Sequence, residues 1–115
     1  MRSYESFESF YLHKEPIDFR KGILSLCILV KEEMNLDLKS NSLFLFINKK
    51  RSHLKILYFD LSGFALWLKK LEESKFPWPQ DGEEVLKVSE EDLSFLFKGI
   101  NPWSSFKEVH FGEFI

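Results

Sequence analysis

Apolar residues recur along this chain with two periods, and the changes of period mark its elements. Beyond Asp18, residues Phe19, Ile23, Leu26, Cys27, Val30 and Met34 fall at helical spacing on one face. Arg20, Lys21, Lys31, Glu32 and Glu33 lie mostly off that face. The pattern predicts a helix capped by Asp18, whose carboxylate accepts a backbone N–H and suits the positive helix end. It should end near Asn35. Leu43 to Ile47 and Leu54 to Phe59 are two apolar runs of strand length around the polar tip Asn48-Lys49-Lys50-Arg51-Ser52, the signature of a β-hairpin with a longer loop. After the turn Asp60-Leu61-Ser62-Gly63, Phe64, Leu66 and Leu68 alternate with Ala65, Trp67 and Lys69, which predicts a third strand, with a helix over 64–73 as its rival.

Phe76-Pro77-Trp78-Pro79 is excluded from regular structure, because each proline fixes φ and biases the residue before it to extended geometry. Residues 84–88 read as a short strand. Ser89 with Asp92 three residues later forms a capping-box pattern ahead of Leu93, Leu96 and Phe97; Gly99 then supplies the stop and Pro102 follows. Tyr11-Leu12 can open a strand. The order predicts an α+β fold: one domain with a small antiparallel sheet, a β-meander, packed against two helices. Residues 1–9 read as a loose N-terminus, 10–100 as the domain, and 101–115 as a tail whose Val109, Phe111 and Phe114 either pair as an edge strand or dock on the core.

The 115 residues suit one domain, and 44% hydrophobic content with 13 Phe is enough apolar mass for a core. No stretch approaches the roughly 20 apolar residues of a membrane helix. The expectation is a soluble cytoplasmic protein with no membrane partner. The lone cysteine, Cys27, has no partner for an internal disulfide and sits between Leu26 and Ile28, so it reads as a small buried hydrophobe rather than a nucleophile.

A net charge of -2 hides a sharp local segregation. From Lys39 to Phe59 there are five basic residues and no acid; from Asp81 to Ile100 there are six acids and two bases. Lys49-Lys50-Arg51 therefore has two readings. A cationic hairpin tip can displace counterions from DNA phosphates. A solvated tip also keeps a sheet soluble and blunts edge pairing.

Catalytic constellations are missing. With one cysteine no thiolate zinc site can form, and His13, His53 and His110 are far apart. There is no glycine-rich phosphate loop and no nucleophile-elbow sequence. Asp18 and Asp60 are the carboxylates a metal-dependent nuclease would need, yet each has a simpler task, as helix cap and as turn residue. No cofactor is implied, and the chain does not read as an enzyme. Dense aromatics are chiefly core material, but Trp78, flanked by Pro77 and Pro79, is a candidate exposed protein-contact residue.

Several motifs in register resemble one family. Asp18-Phe19-Arg20-Lys21-Gly22, Leu43-Phe44-Leu45-Phe46 with Asn48-Lys49-Lys50-Arg51, and Leu54-Lys55-Ile56-Leu57-Tyr58 resemble segments of the accessory protein (Orf2, also called TnpB) of the insertion sequence 66 family. Asp60, Gly63-Phe64, Trp67, Lys69, Leu71-Glu72 and Phe76-Pro77-Trp78-Pro79 complete the series over about residues 10–100. Here Leu61 stands where that family commonly has glycine, and Phe59 where it often has Trp. The resemblance implies a non-catalytic role in transposition beside a DDE-type transposase. That transposase is one expected partner. DNA is the other, through phosphate contacts from Arg20, Lys21, Lys49, Lys50, Arg51, Lys55, Lys69 and Lys70. The alternative is a protein-interaction module that never touches DNA.

Overall fold

The computed structural model describes residues 3–72 and 75–103. Five strands form one sheet: β1 (Ser9–His13), β2 (Ser42–Ile47), β3 (His53–Asp60), β4 (Gly63–Lys70) and β5 (Val85–Val88). Two helices, α1 (Ile23–Glu32) and α2 (Glu90–Phe97), complete the α+β domain. The strand order is β4-β3-β2-β1-β5. β2, β3 and β4 are the expected meander, and residues 63–70 are a strand rather than a helix. The sheet is mixed rather than purely antiparallel, because β1 runs parallel to β2. A parallel neighbour needs a crossover, and α1 is that crossover.

All six residues of β2 are buried. Leu43, Leu45 and Ile47 face a core shared with Phe10, Leu12, Leu54, Ile56, Trp78, Leu93 and Leu96, on the α2 side. Phe44 and Phe46 face the opposite core, with Leu26, Cys27, Leu29, Val30 and Met34 of the α1 segment. A strand covered on both faces reads as an unbroken apolar run, which is why Leu43 to Ile47 shows no alternation. Cys27 is buried as expected, and burial pushes its thiol pKa up, away from thiolate chemistry.

Tyr4–Ser6 form a short 3-10 turn, and Phe7 behind it is buried edge-on against Tyr58. The predicted α1 cap is corrected. The helix begins at Ile23 with Gly22 at its cap position, and Asp18 instead closes a local turn by accepting from the Arg20 backbone N–H at 2.9 Å. The carbonyls of Phe19 and Lys21 accept from Lys55 Nζ, at 2.7 and 2.8 Å, which ties this turn to β3. α1 stops where Asn35 turns left-handed at φ 57°, and the Leu36 N–H closes back onto the Val30 carbonyl. The α2 capping box forms as expected between Ser89 and Asp92. Pro102 is buried and Trp103 half-buried; the rest of the expected tail lies outside the described residues.

The β3–β4 turn places Leu61 at φ 53° with its side chain 90% exposed. A left-handed conformation costs an L-residue about 1–2 kcal/mol, and a side chain this exposed gives little back. Leu61→Gly is therefore expected to raise the unfolding free energy by about 1 kcal/mol, read by urea denaturation. A loss of stability would show that the left-handed turn is not a cost to this fold.

Candidate nucleic-acid interface

The β2–β3 tip is a rigid turn rather than a loose tether. Asn48 Oδ1 accepts from the backbone N–H groups of Ser52 and His53, both at 2.9 Å, and its Nδ2 donates to Ser52 Oγ at 3.1 Å. Arg51 sits at φ 61°. Its carbonyl accepts from the Phe76 N–H at 2.8 Å, and the Ser52 carbonyl accepts from the Leu71 N–H at 2.9 Å. The tip is thereby stapled to the end of β4 and to the proline-rich segment. Lys49 and Lys50 project into solvent from this frame, and Arg51 is half-exposed.

Other cations arrive at the same end of the sheet. Lys70 closes β4 opposite His53 and is exposed. Lys75 is exposed next to Phe76; sequence reasoning missed it, because nothing in a 24-residue separation tells that position 75 meets position 51. The 17–22 loop lies over the α1 face of β3. The Phe19 ring sits edge-on to His53, and the Lys55 ammonium lies 4.6 Å from the Phe19 ring centre. Among the described residues Lys21, Lys49, Lys50, Arg51, Lys70 and Lys75 form no ion pair, and neither do Glu83, Glu84, Glu90 and Glu91.

Three of the eight cations chosen from sequence are engaged within the molecule. Lys55 spends its ammonium on the Phe19 and Lys21 carbonyls, and burial lowers its pKa against an opposing pull from Asp18. Lys69 points to the other sheet face, donates to the Phe97 carbonyl at 3.1 Å and lies over the Phe97 ring. Arg20 grips both oxygens of Asp18. The Arg20 side-chain hydrogen bonds, then its backbone N–H, hold the Asp18 carboxyl well below the ordinary range. A carboxyl so lowered contributes stability above its ordinary value, 3.8, and that contribution is lost as pH falls below it. Asp18 is thus a local electrostatic partner, and among the described residues no three His, Cys, Asp or Glu side chains converge as a metal site would require.

The expected exposed contact at Trp78 is corrected. Trp78 is 4% exposed, and its indole N–H donates to the Lys14 and His13 carbonyls at 3.0 and 3.3 Å. Pro79 is buried, and the half-buried Pro77 accepts at its carbonyl from Trp103 Nε1 at 2.6 Å. The prolines hold extended backbone that lets Trp78 reach into the core, so this segment is packing material and not a free surface. Asp81, Glu83 and Glu84 precede β5, two strand positions from β2, roughly 10 Å at the usual strand spacing. The pairing of β2 and β5 with β1 sets this acidic turn at the same end of the sheet as the tip, while Glu90 and Glu91 follow the other end of β5.

Comparison with known proteins adds the family. The family model described as IS66 Orf2 like protein matches residues 8–107, nearly the whole chain. This chain belongs to the IS66 Orf2-like family. It is 34% identical over 93 residues to the uncharacterized protein y4jC of Sinorhizobium fredii (strain NBRC 101917 / NGR234), covering 81% of this chain and 79% of that one. It is 33% identical over 84 residues to y4hO of the same strain, covering 73% of each. No solved structure matches. The IS66 Orf2-like family ties the chain to insertion-sequence transposition in an accessory role and is not a known catalytic family. Among the described residues no helix is long and apolar enough to cross a membrane.

Lys55 is the tie between the cationic loop and β3. Replacing it with Ala should cost about 2 kcal/mol, the range of hydrogen bonds to a charged group, and should speed amide exchange in residues 17–22. Unchanged stability and exchange would show that the loop is held by Phe19 packing alone.

Proposed function

We propose that this IS66 Orf2-like protein is a non-catalytic accessory factor for transposition of an insertion sequence, and that it meets DNA backbone phosphates with the basic end of its sheet. The transposase of the same element is its protein partner in this reading. One observation supports the DNA contact: Lys49, Lys50 and Arg51 on a stapled turn share one end of the sheet with Lys70 and Lys75, and among the described residues no carboxylate forms an ion pair with them. Unpaired cations on a rigid frame release phosphate counterions on binding and lose little side-chain freedom beyond their own. Among the described residues no helix presents a row of base-reading side chains to a groove, so the contact is to the backbone rather than to sequence. Lys21 extends the surface, and Arg20 joins it only when released from Asp18.

The test is binding of the purified protein to a duplex carrying the element's terminal inverted repeats, and to a scrambled duplex, across a salt series. Affinity should fall steeply with salt on both. Replacing Lys49, Lys50 and Arg51 together by Ala should weaken binding and flatten the log–log salt slope by about 3. Asp18→Asn should have the opposite effect, because it removes the charge that neutralises Arg20. Absence of binding at low salt would remove DNA as a direct partner and leave the transposase as the contact to measure.

A further inference from the structure

The outer edge of β4 pairs with no strand among the described residues, and it carries few of the devices that protect an edge. Its register against β3 runs without a bulge from His53↔Lys70 to Asp60↔Gly63. Phe64 to Leu68 contains neither proline nor charge. Long, regular, apolar edges are templates for another strand. The available groups follow from the hairpin. The Leu71 N–H points to the Ser52 carbonyl, so alternation turns positions 63, 65, 67 and 69 toward β3 and the N–H and C=O groups of Phe64, Leu66 and Leu68 outward.

An apolar patch flanks this edge. Leu68 is 56% exposed on the α1 face, and on α1 itself Leu24 is 75% and Ile28 54% exposed. Glu33 reaches toward His13 on β1, at 3.9 Å. At 100° per residue Leu24 lies on the opposite flank of the helix, above the β4 side, while Ile28 points away from the sheet. Two large exposed side chains, Leu68 and Leu24, therefore flank the open edge.

We propose that this edge and flank are an interface with a second copy of the chain, β4 pairing antiparallel with β4 about a two-fold axis normal to the sheet. The strand is self-complementary in that register. Leu66 falls opposite the second copy's Leu66, and Phe64 opposite its Leu68, each pair exchanging outward backbone hydrogen bonds. The axis keeps both α1 helices on one face, so their Leu24 flanks turn toward the leucine row. Charge agrees with the arrangement. One end of the β3–β4 hairpin carries Lys69 and Lys70 and the other Asp60, and antiparallel pairing sets the basic end of each copy beside the acidic corner of the other. The second copy explains together an unprotected edge, an exposed Leu68 and an apolar helix flank, and it needs no ligand or DNA.

The measurement is sedimentation equilibrium of the full chain from low to several hundred micromolar. The wild type should sediment as a dimer at the upper end. Leu68→Pro removes only an outward N–H and leaves the β3 ladder whole; Leu68→Lys and Leu24→Lys add charge to the patch. Each variant should keep the wild-type far-UV circular dichroism and weaken dimerisation at least tenfold. If one fails to fold, the remaining two decide. A wild type that stays monomeric throughout the range, or a dimer that survives the folded variants unchanged, would overturn the proposal.

Discussion

A strand with five consecutive large apolar residues, Leu43 to Ile47, has no face to give to water, and β2 imposes that constraint on everything around it. Its six residues are all buried, and each large apolar side chain so covered stabilises by about 1.5–3 kcal/mol. That exceeds the 0–1 kcal/mol typical of an exposed ion pair, so the layers are arranged for β2 before any surface charge is satisfied. Two covers are needed, and the chain supplies one from each side of β2 in sequence. α1 comes before it and takes Phe44 and Phe46; α2 and the Phe76–Pro79 segment come after it and take Leu43, Leu45 and Ile47. The parallel β1 is a consequence. With α1 laid across the sheet between them, β1 and β2 run the same way.

The basic end of the molecule inherits its rigidity from that packing. The tip joins strands whose neighbours are fixed on both faces, and the Arg51 and Ser52 carbonyls reach across to the Phe76 and Leu71 N–H groups. Lys55 illustrates how one cation is diverted from the surface. It stands on the α1 face of β3, where burial disfavours its charge, and the Phe19 and Lys21 carbonyls satisfy its ammonium. The same bonds keep Arg20 and Lys21 near the sheet end. The acidic turn before β5 lies at the same end of the sheet as the cationic tip, two strand positions from β2.

Much of the fold was legible in the chain because the determinants are local. The helical stripe from Ile23 to Met34, the apolar runs at 43–47 and 54–59, the alternation after Gly63 and the Ser89–Asp92 box each report backbone geometry within a few residues. So did the cationic character of Lys49-Lys50-Arg51, since a polar tip between two apolar strands has to be solvated. The start of α1 was not legible. Asp18 has the composition of a cap, but Arg20 takes its carboxylate, and Lys55, far along the chain, ties the Phe19 and Lys21 carbonyls to β3.

The sequence by itself therefore determined the element types and the family, which follow from periodicity and from motifs in register, whereas the central, doubly covered place of β2 came from the fold. Tertiary structure alone decided which polar groups remain for a partner. Trp78 was drawn inward because its indole N–H finds the His13 and Lys14 carbonyls, and Lys55 and Lys69 were engaged because carbonyls of distant segments lie within their reach. Lys75 was brought beside the tip by a single backbone hydrogen bond between Phe76 and Arg51. Hydrogen bonding between segments far apart in sequence leaves no periodic trace, so the surface that remains available is settled only when the chain has folded.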